Sequence, residues 1–142
     1  METRKLYRGR LIDHLHLVTG EFSASKRFYA AVLAALDIPI GGEAADYFWA
    51  DELFVSDQHS KAAQGKVTGR MHFAFQAESR EQVEKFYRAG IEGGGTPNGE
   101  PGERPYHPEY FAAFLLDPDG NNVEAVFHGV AKRSAPAVEL EF

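Results

Sequence analysis

The chain contains no cysteine among its 142 residues. That excludes a disulfide framework, a thiolate metal site and a thiol nucleophile together. Long apolar runs are missing too. Apolar runs such as Ala30 to Leu36 and Phe111 to Leu116 fall far short of the roughly 20 residues that span a bilayer, so no membrane segment is expected. There is no basic excess: 15 Lys and Arg stand against 21 Asp and Glu, a net charge of −6. The basic residues are scattered in pairs or near-pairs such as Arg8/Arg10, Lys26/Arg27 and Lys132/Arg133. A phosphate backbone requires a basic face, so nucleic acid is not an expected partner. The opening Met-Glu-Thr-Arg-Lys leads into no apolar stretch of the secretory kind, and a cytoplasmic location is the expectation. What is present, 44% hydrophobic and 25% charged residues, is the composition of a globular protein. The length suits one domain, 1–142, with a real core.

The chain repeats itself. His14-Leu15-His16-Leu17-Val18 is followed by Phe28-Tyr29, and His72-Phe73-Ala74-Phe75-Gln76 by Phe86-Tyr87. The interval from histidine to Phe-Tyr pair is fourteen residues in both copies, and the copies start fifty-eight residues apart. A basic residue precedes each pair (Arg27, Lys85) and alanine follows each tyrosine by two positions (Ala31, Ala89). Four coincidences in register point to a duplicated unit.

Each copy reads as strand, helix and three strands. Residues 11–18 alternate, with Leu11, Leu15 and Leu17 on one face and Ile12, His14, His16 and Val18 on the other. Residues 71–76 do likewise, Phe73 and Phe75 opposing His72 and Gln76. A helix over 23–36 carries the stripe Tyr29, Val32, Leu33, Leu36. A second, over 80–91, opens on the capping box Ser79/Gln82 and carries Val83, Phe86, Tyr87 and Gly90. Short strands are predicted at 37–40, 46–50 and 52–57, then at 95–97, 110–116 and 122–127. The last two are joined by Asp117-Pro118-Asp119-Gly120-Asn121, where proline and glycine suit a tight turn. Residues 58–69 and 98–109 read as loops, and Val138 to Phe142 as a further edge strand. The modules run over about 8–57 and 70–128, with a tail at 129–142.

With the leucines and phenylalanines packed under the helices, the opposite faces carry His14, His16 and His72 into a shared concavity. The final strand puts Glu124 on one face with Asn122, Val126 and His128, between apolar neighbours, where a carboxylate needs a partner. A lone strand-face histidine is ordinarily hydrogen-bonded filler. Two histidines at equivalent repeat positions, with an acid after a rigid turn, point instead to an N/O site for Zn, Ni, Mn, Co or Fe.

These residues resemble the vicinal oxygen chelate superfamily, which includes glyoxalase I, bleomycin and fosfomycin resistance proteins, extradiol dioxygenases and methylmalonyl-CoA epimerase. The likeness rests on Ile12-Asp13-His14-Leu15-His16-Leu17, on His72-Phe73-Ala74-Phe75 and on Leu116 through Glu124, spanning about 11–128. The resemblance implies an α+β fold of two βαβββ modules in a curved, half-barrel-like mixed sheet with helices outside. It also implies one divalent metal ion held by His14, His72 and Glu124, and a homodimer in which His14 joins His72 and Glu124 of the partner. Where a fourth ligand would come from the last strand of the first module, this chain has Leu53, Phe54, Val55 and Ser56. The site is therefore expected to have three ligands, unlike the four of glyoxalase I. The segment from Asn98 to Phe111 looks like a subgroup of small glyoxalase/dioxygenase-like proteins.

The expected function is a metal-dependent lyase or isomerase that chelates vicinal oxygens of a small substrate and stabilises an enolate or oxyanion. His16, His107 and Tyr110 are the candidates to move a proton. Two alternatives stand beside it. One is an Fe(II) extradiol-type dioxygenase using the same two-histidine, one-carboxylate set. The other is a non-catalytic protein that sequesters an antibiotic or metabolite in a cleft lined by Phe48, Trp49, Tyr106 and Phe111.

Overall fold

The computed structural model describes residues 5–61, 63 and 65–141. Ten strands and two helices follow in the order β1 (Lys5–Arg8), β2 (Leu15–Thr19), α1 (Phe22–Ala35), β3 (Gly42–Glu43), β4 (Tyr47–Ala50), β5 (Leu53–Asp57), β6 (His72–Gln76), α2 (Arg80–Glu92), β7 (Thr96–Glu103), β8 (Phe111–Leu116), β9 (Asn122–Phe127) and β10 (Val138–Glu141). They sort into two compact units. The first holds β1 to β5 and β10; the second holds α1 from Ser23 onward, α2 and β6 to β9.

The two four-stranded sheets have the same topology, β2-β5-β4-β3 and β6-β9-β8-β7. In each, the first strand lies parallel to the last, and the other pairs are antiparallel. This is the duplicated unit that the histidine and Phe-Tyr spacing anticipates. Cross-strand partners share a face. In the first sheet Leu17, Val55 and Phe48 line up on one face and are fully buried, while His16, Phe54 and Trp49 line up on the other. In the second sheet Phe73, Val123 and Leu115 share the core face, and Ala74, Glu124 and Phe114 the other.

Helix α2 begins as its sequence dictates. Ser79 Oγ accepts from the Gln82 N–H at 3.1 Å, and Gln82 Oε1 reaches back to the Glu78 N–H at 2.8 Å, so the capping box closes one residue early. Val83, Phe86 and Gly90 are its buried face. A Cβ on Gly90 would stand 2.1 Å from Leu115 Cδ1, so glycine is what lets the helix lie this close to β8. From Ser23 onward α1 packs within the second unit: Tyr29 stacks on Phe73 with centroids 6.3 Å apart, and Arg27 donates to the Glu92 carbonyl.

Several expected boundaries are corrected. The first strand starts at Leu15, not residue 11, and Leu11 and Ile12 are 91% and 50% exposed. Its parallel partner β5 begins only at Leu53, after a turn with Asp51 at φ +46°, so earlier residues have no ladder to join. No strand forms at 37–40, where Asp37 has φ +60° and Pro39 lacks a donor; β3 lies at Gly42–Glu43 instead. The first half of the expected 98–109 loop is strand. β7 runs over Thr96–Glu103 and carries Pro97 and Pro101, tolerated because it is an edge strand with irregularities on either side of Gly99. The C-terminal strand exists, but it pairs with β1, which the sequence reading did not anticipate, and Phe142 lies outside the described residues. No helix among the described residues is long and apolar enough to cross a membrane.

Candidate metal centre

The turn 117–121 fixes the position of Glu124. Asp117 is 4% exposed. Its Oδ1 accepts the N–H groups of Asp119 and Asn121, and its Oδ2 accepts Asn121 Nδ2 at 2.9 Å and the Tyr29 hydroxyl at 2.5 Å. Burial, then Asp117 beside it, pushes the Tyr29 phenol well above its ordinary range, so it remains a donor. Asn121, held this way, turns its Oδ1 to the Met71 N–H at 2.8 Å, and Asn122 N–H donates to the Met71 carbonyl. The start of β6 is thereby latched to the start of β9, and His72 comes into register with Asn122, two residues before Glu124.

That register brings two of the candidate ligands together. Glu124 is a carboxylate only 3% exposed. His72 Nε2 lies 2.8 Å from its Oε1, and the Tyr110 hydroxyl donates to its Oε2 at 2.6 Å. Both carboxylate oxygens are engaged, which meets the requirement of a buried charge. Tyr110 is pushed up to about 12 by burial and then by the carboxylate it bonds, so it is a donor throughout the physiological range.

The remaining expected site residues lie elsewhere. His14 and His16 are in the first unit, where they border a cleft of about 480 Å³ with Trp49, Phe54, Arg8, Asp51 and Glu52. His14 is exposed, with Nδ1 2.7 Å from Asp13 Oδ1. His16 Nε2 lies 2.7 Å from Ser56 Oγ, and its ring meets Phe54 edge-on at 4.9 Å. Burial, then His14 nearby, lowers the His16 pKa and favours the neutral ring. Of the four aromatics expected to line a cleft, Trp49 does so. Phe48 is fully buried on the opposite face, Phe111 is buried under the Arg80 guanidinium, and Tyr106 is 70% exposed. His107 is exposed and bonds the Pro108 carbonyl and His128, not Glu124.

The profile of the Glyoxalase/Bleomycin resistance protein/Dioxygenase superfamily matches residues 37–125. The chain belongs to that superfamily. No curated protein matches it. Among solved structures, a glyoxalase/bleomycin resistance protein from Albidiferax ferrireducens T118 is 29% identical, with 82% of this chain and 97% of that one covered and a TM-score of 0.66. A glyoxalase-related enzyme from Fulvimarina pelagi is 18% identical, with 92% and 97% covered and a TM-score of 0.69. A glyoxalase/bleomycin resistance protein/dioxygenase family enzyme from Burkholderia phytofirmans PsJN is 20% identical, with 80% and 95% covered and a TM-score of 0.61. The last two likenesses concern the fold alone.

Members of the superfamily typically use a divalent metal, and the spacing of the donors in the second unit is compatible with part of a coordination sphere. Two ligands about 2.1 Å from one ion and at right angles to each other lie about 3 Å apart. His72 Nε2 and Glu124 Oε1 are 2.8 Å apart. His14 has the matching preparation on its own: Asp13 engages Nδ1, which leaves Nε2 as the nitrogen with the free lone pair. Among the described residues no group of three or more His, Asp or Glu gathers to hold a metal. The two sheets differ at this point. The position that Glu124 occupies opposite Ala74 is taken in the first sheet by Phe54, opposite His16.

The sequence reading missed Asp117 and Tyr29 as the clamp behind Glu124, and His128 as the partner of His107. The Asp-Pro-Asp-Gly-Asn run signalled the turn but not which hydroxyl it captures. Tyr29 carried a signal, as half of the repeated Phe-Tyr pair.

Proposed function

We propose that this protein is a divalent-metal-dependent enzyme of the glyoxalase type, a lyase or isomerase acting on a small molecule with two neighbouring oxygens. The observation that carries the reading is Glu124, a carboxylate 3% exposed with an imidazole nitrogen 2.8 Å from one oxygen. A buried anion beside a nitrogen donor is a costly arrangement for structure alone and an effective one for Zn, Ni, Mn, Co or Fe. His72 and Glu124 would hold the ion, with His14 as third ligand supplied by a second copy of the chain in a homodimer. When bound, the ion supplies Lewis-acid stabilisation of negative charge on substrate oxygens. The chain's own groups do the rest. Tyr110 donates to Glu124 Oε2 and keeps the carboxylate turned toward His72. His16, in the cleft and beside Ser56, is assigned to take up and return the proton. Trp49 and Phe54 give that cleft apolar walls against water.

The test is elemental analysis of gently purified protein beside Glu124→Gln. The parent is expected to retain one tightly held divalent ion per chain, and the variant to lose it with its melting temperature preserved. A variant that keeps the ion as firmly as the parent overturns the ligand assignment. Iron in the parent, with turnover that depends on oxygen, moves the reading to a dioxygenase. A second reading rests on the aromatic-walled cleft: a parent that takes up no metal even when supplied with it is a ligand-sequestering protein. Retention that is undiminished in a monomer overturns the shared site.

A further inference from the structure

We propose a second, more open metal site at His107 and His128, separate from the Glu124 centre and selective for nitrogen-seeking ions such as Zn²⁺, Ni²⁺ and Cu²⁺. His107 Nε2 and His128 Nδ1 are 2.9 Å apart. That is again the roughly 3 Å separation of two nitrogens bound at right angles to one ion about 2.1 Å away. The same spacing serves their mutual hydrogen bond, so the two imidazoles are already gathered at ligand distance.

Their surroundings fix both rings. The His107 Nδ1 lies 2.8 Å from the Pro108 carbonyl. A carbonyl only accepts, so Nδ1 carries the proton and Nε2 the lone pair, the tautomer that a metal-bound imidazole needs; His128 Nδ1 then donates the bond between the two rings, and its proton passes to Nε2 or to solvent when an ion takes its place. The loop that carries His107 is closed by Arg104 N–H to the Tyr110 carbonyl and Tyr110 N–H to the His107 carbonyl. Tyr110 sets its ring against both imidazoles, with centroids 5.2 and 5.5 Å away. Immediately after His128, Gly129 sits at φ +75°, and a Cβ there would stand 2.6 Å from the Glu109 Cβ. Only glycine lets the end of β9 approach the 107–110 loop this closely. Both rings are exposed, so water completes the coordination. Two imidazoles without a carboxylate favour Cu²⁺, Ni²⁺ and Zn²⁺ over Mn²⁺ and Mg²⁺. The site is expected to hold its ion more weakly than a three-ligand centre.

The experiment is Zn²⁺ titration by calorimetry on parent and Glu124→Gln chains, each with and without His107→Gln or His128→Gln. In the Glu124→Gln chain one Zn²⁺ per chain is expected to remain, undisturbed by millimolar Mg²⁺. Either histidine substitution is expected to weaken it at least tenfold, since even a residue that merely orients a ligand commonly costs ten- to hundredfold. Absence of Zn²⁺ uptake in Glu124→Gln overturns the proposal, and so does uptake that either histidine substitution weakens less than tenfold. Failure of the Glu124 assignment shows separately, as tight binding in the parent that Glu124→Gln leaves unchanged.

Discussion

Asp117 holds the 117–121 turn together from the inside. Replacing it with alanine removes the acceptor of four hydrogen bonds: from Tyr29 Oη, the N–H of Asp119, and the N–H and Nδ2 of Asn121. Asp119 lies on the exposed side of the turn, and water can replace its bond. The other three donors belong to residues that are 0% and 2% exposed. A buried donor left without an acceptor costs about 1–3 kcal/mol. Water entering the space of the lost carboxylate offsets some of this, so about 3–5 kcal/mol in all is expected. For a chain of this size that is a fall in melting temperature of about 10–20 °C.

Urea denaturation followed by circular dichroism gives the number, and a double-mutant cycle tests its origin. Tyr29→Phe alone should cost about 1 kcal/mol, because Asp117 keeps its other three donors. In the Asp117→Ala background the same change should cost nothing or stabilise, since it removes a stranded hydroxyl. A cost below about 1 kcal/mol for Asp117→Ala, or an additive cycle, would refute the clamp. The latch from Asn121 to Met71 should loosen with it, so metal retention by His72 and Glu124 should fall in the same variant.

Glu52 and Asp51, half-buried beside the first-unit cleft, have carboxyls raised above their ordinary values, chiefly by burial. A raised carboxyl favours folding in its protonated form, and that contribution is lost as pH rises through the folded value. Glu52→Gln should therefore melt above the parent at pH 7, with the gain shrinking as pH falls toward the ordinary value of 4.5; a gain that does not change with pH would show burial is not the cause. Tyr110→Phe removes the donor to Glu124 Oε2 and leaves a well-placed ring. It should keep the fold and weaken metal retention about ten- to hundredfold in chelator competition; unchanged retention would deny Tyr110 its positioning role.

The strand-helix-strands order of each copy was legible because periodicity of 2 and 3.6 needs only local sequence, and because the duplication allowed one copy to check the other. The Ser79/Gln82 cap and the 117–121 turn were legible for the same local reason. The β1–β10 pairing was not: two four-residue strands meet across the length of the chain, and nothing near either end announces its partner. β7 was hidden by Pro97 and Pro101, which argue against a strand anywhere except at an edge. The clamp on Asp117 and the His107–His128 contact are side-chain encounters across 88 and 21 residues, and no residue pattern encodes such a distance.

The register resolves what the repeat alone left open. His14 and His72 are equivalent by spacing, yet the slots beside them diverged. Where the second copy has Ala74 opposite Glu124, the first has His16 opposite Phe54. A small residue opposite the acid leaves room for the carboxylate to meet His72. An imidazole edge-on to a phenyl ring fills the same room with apolar surface and Trp49 alongside. One copy has kept a charged donor set and the other an aromatic-walled cleft bearing a histidine. A duplicated fold can separate the holding of an ion from the handling of an organic ligand in this way, because two side chains differ at one pair of equivalent positions while the backbone hydrogen bonds that place them stay the same.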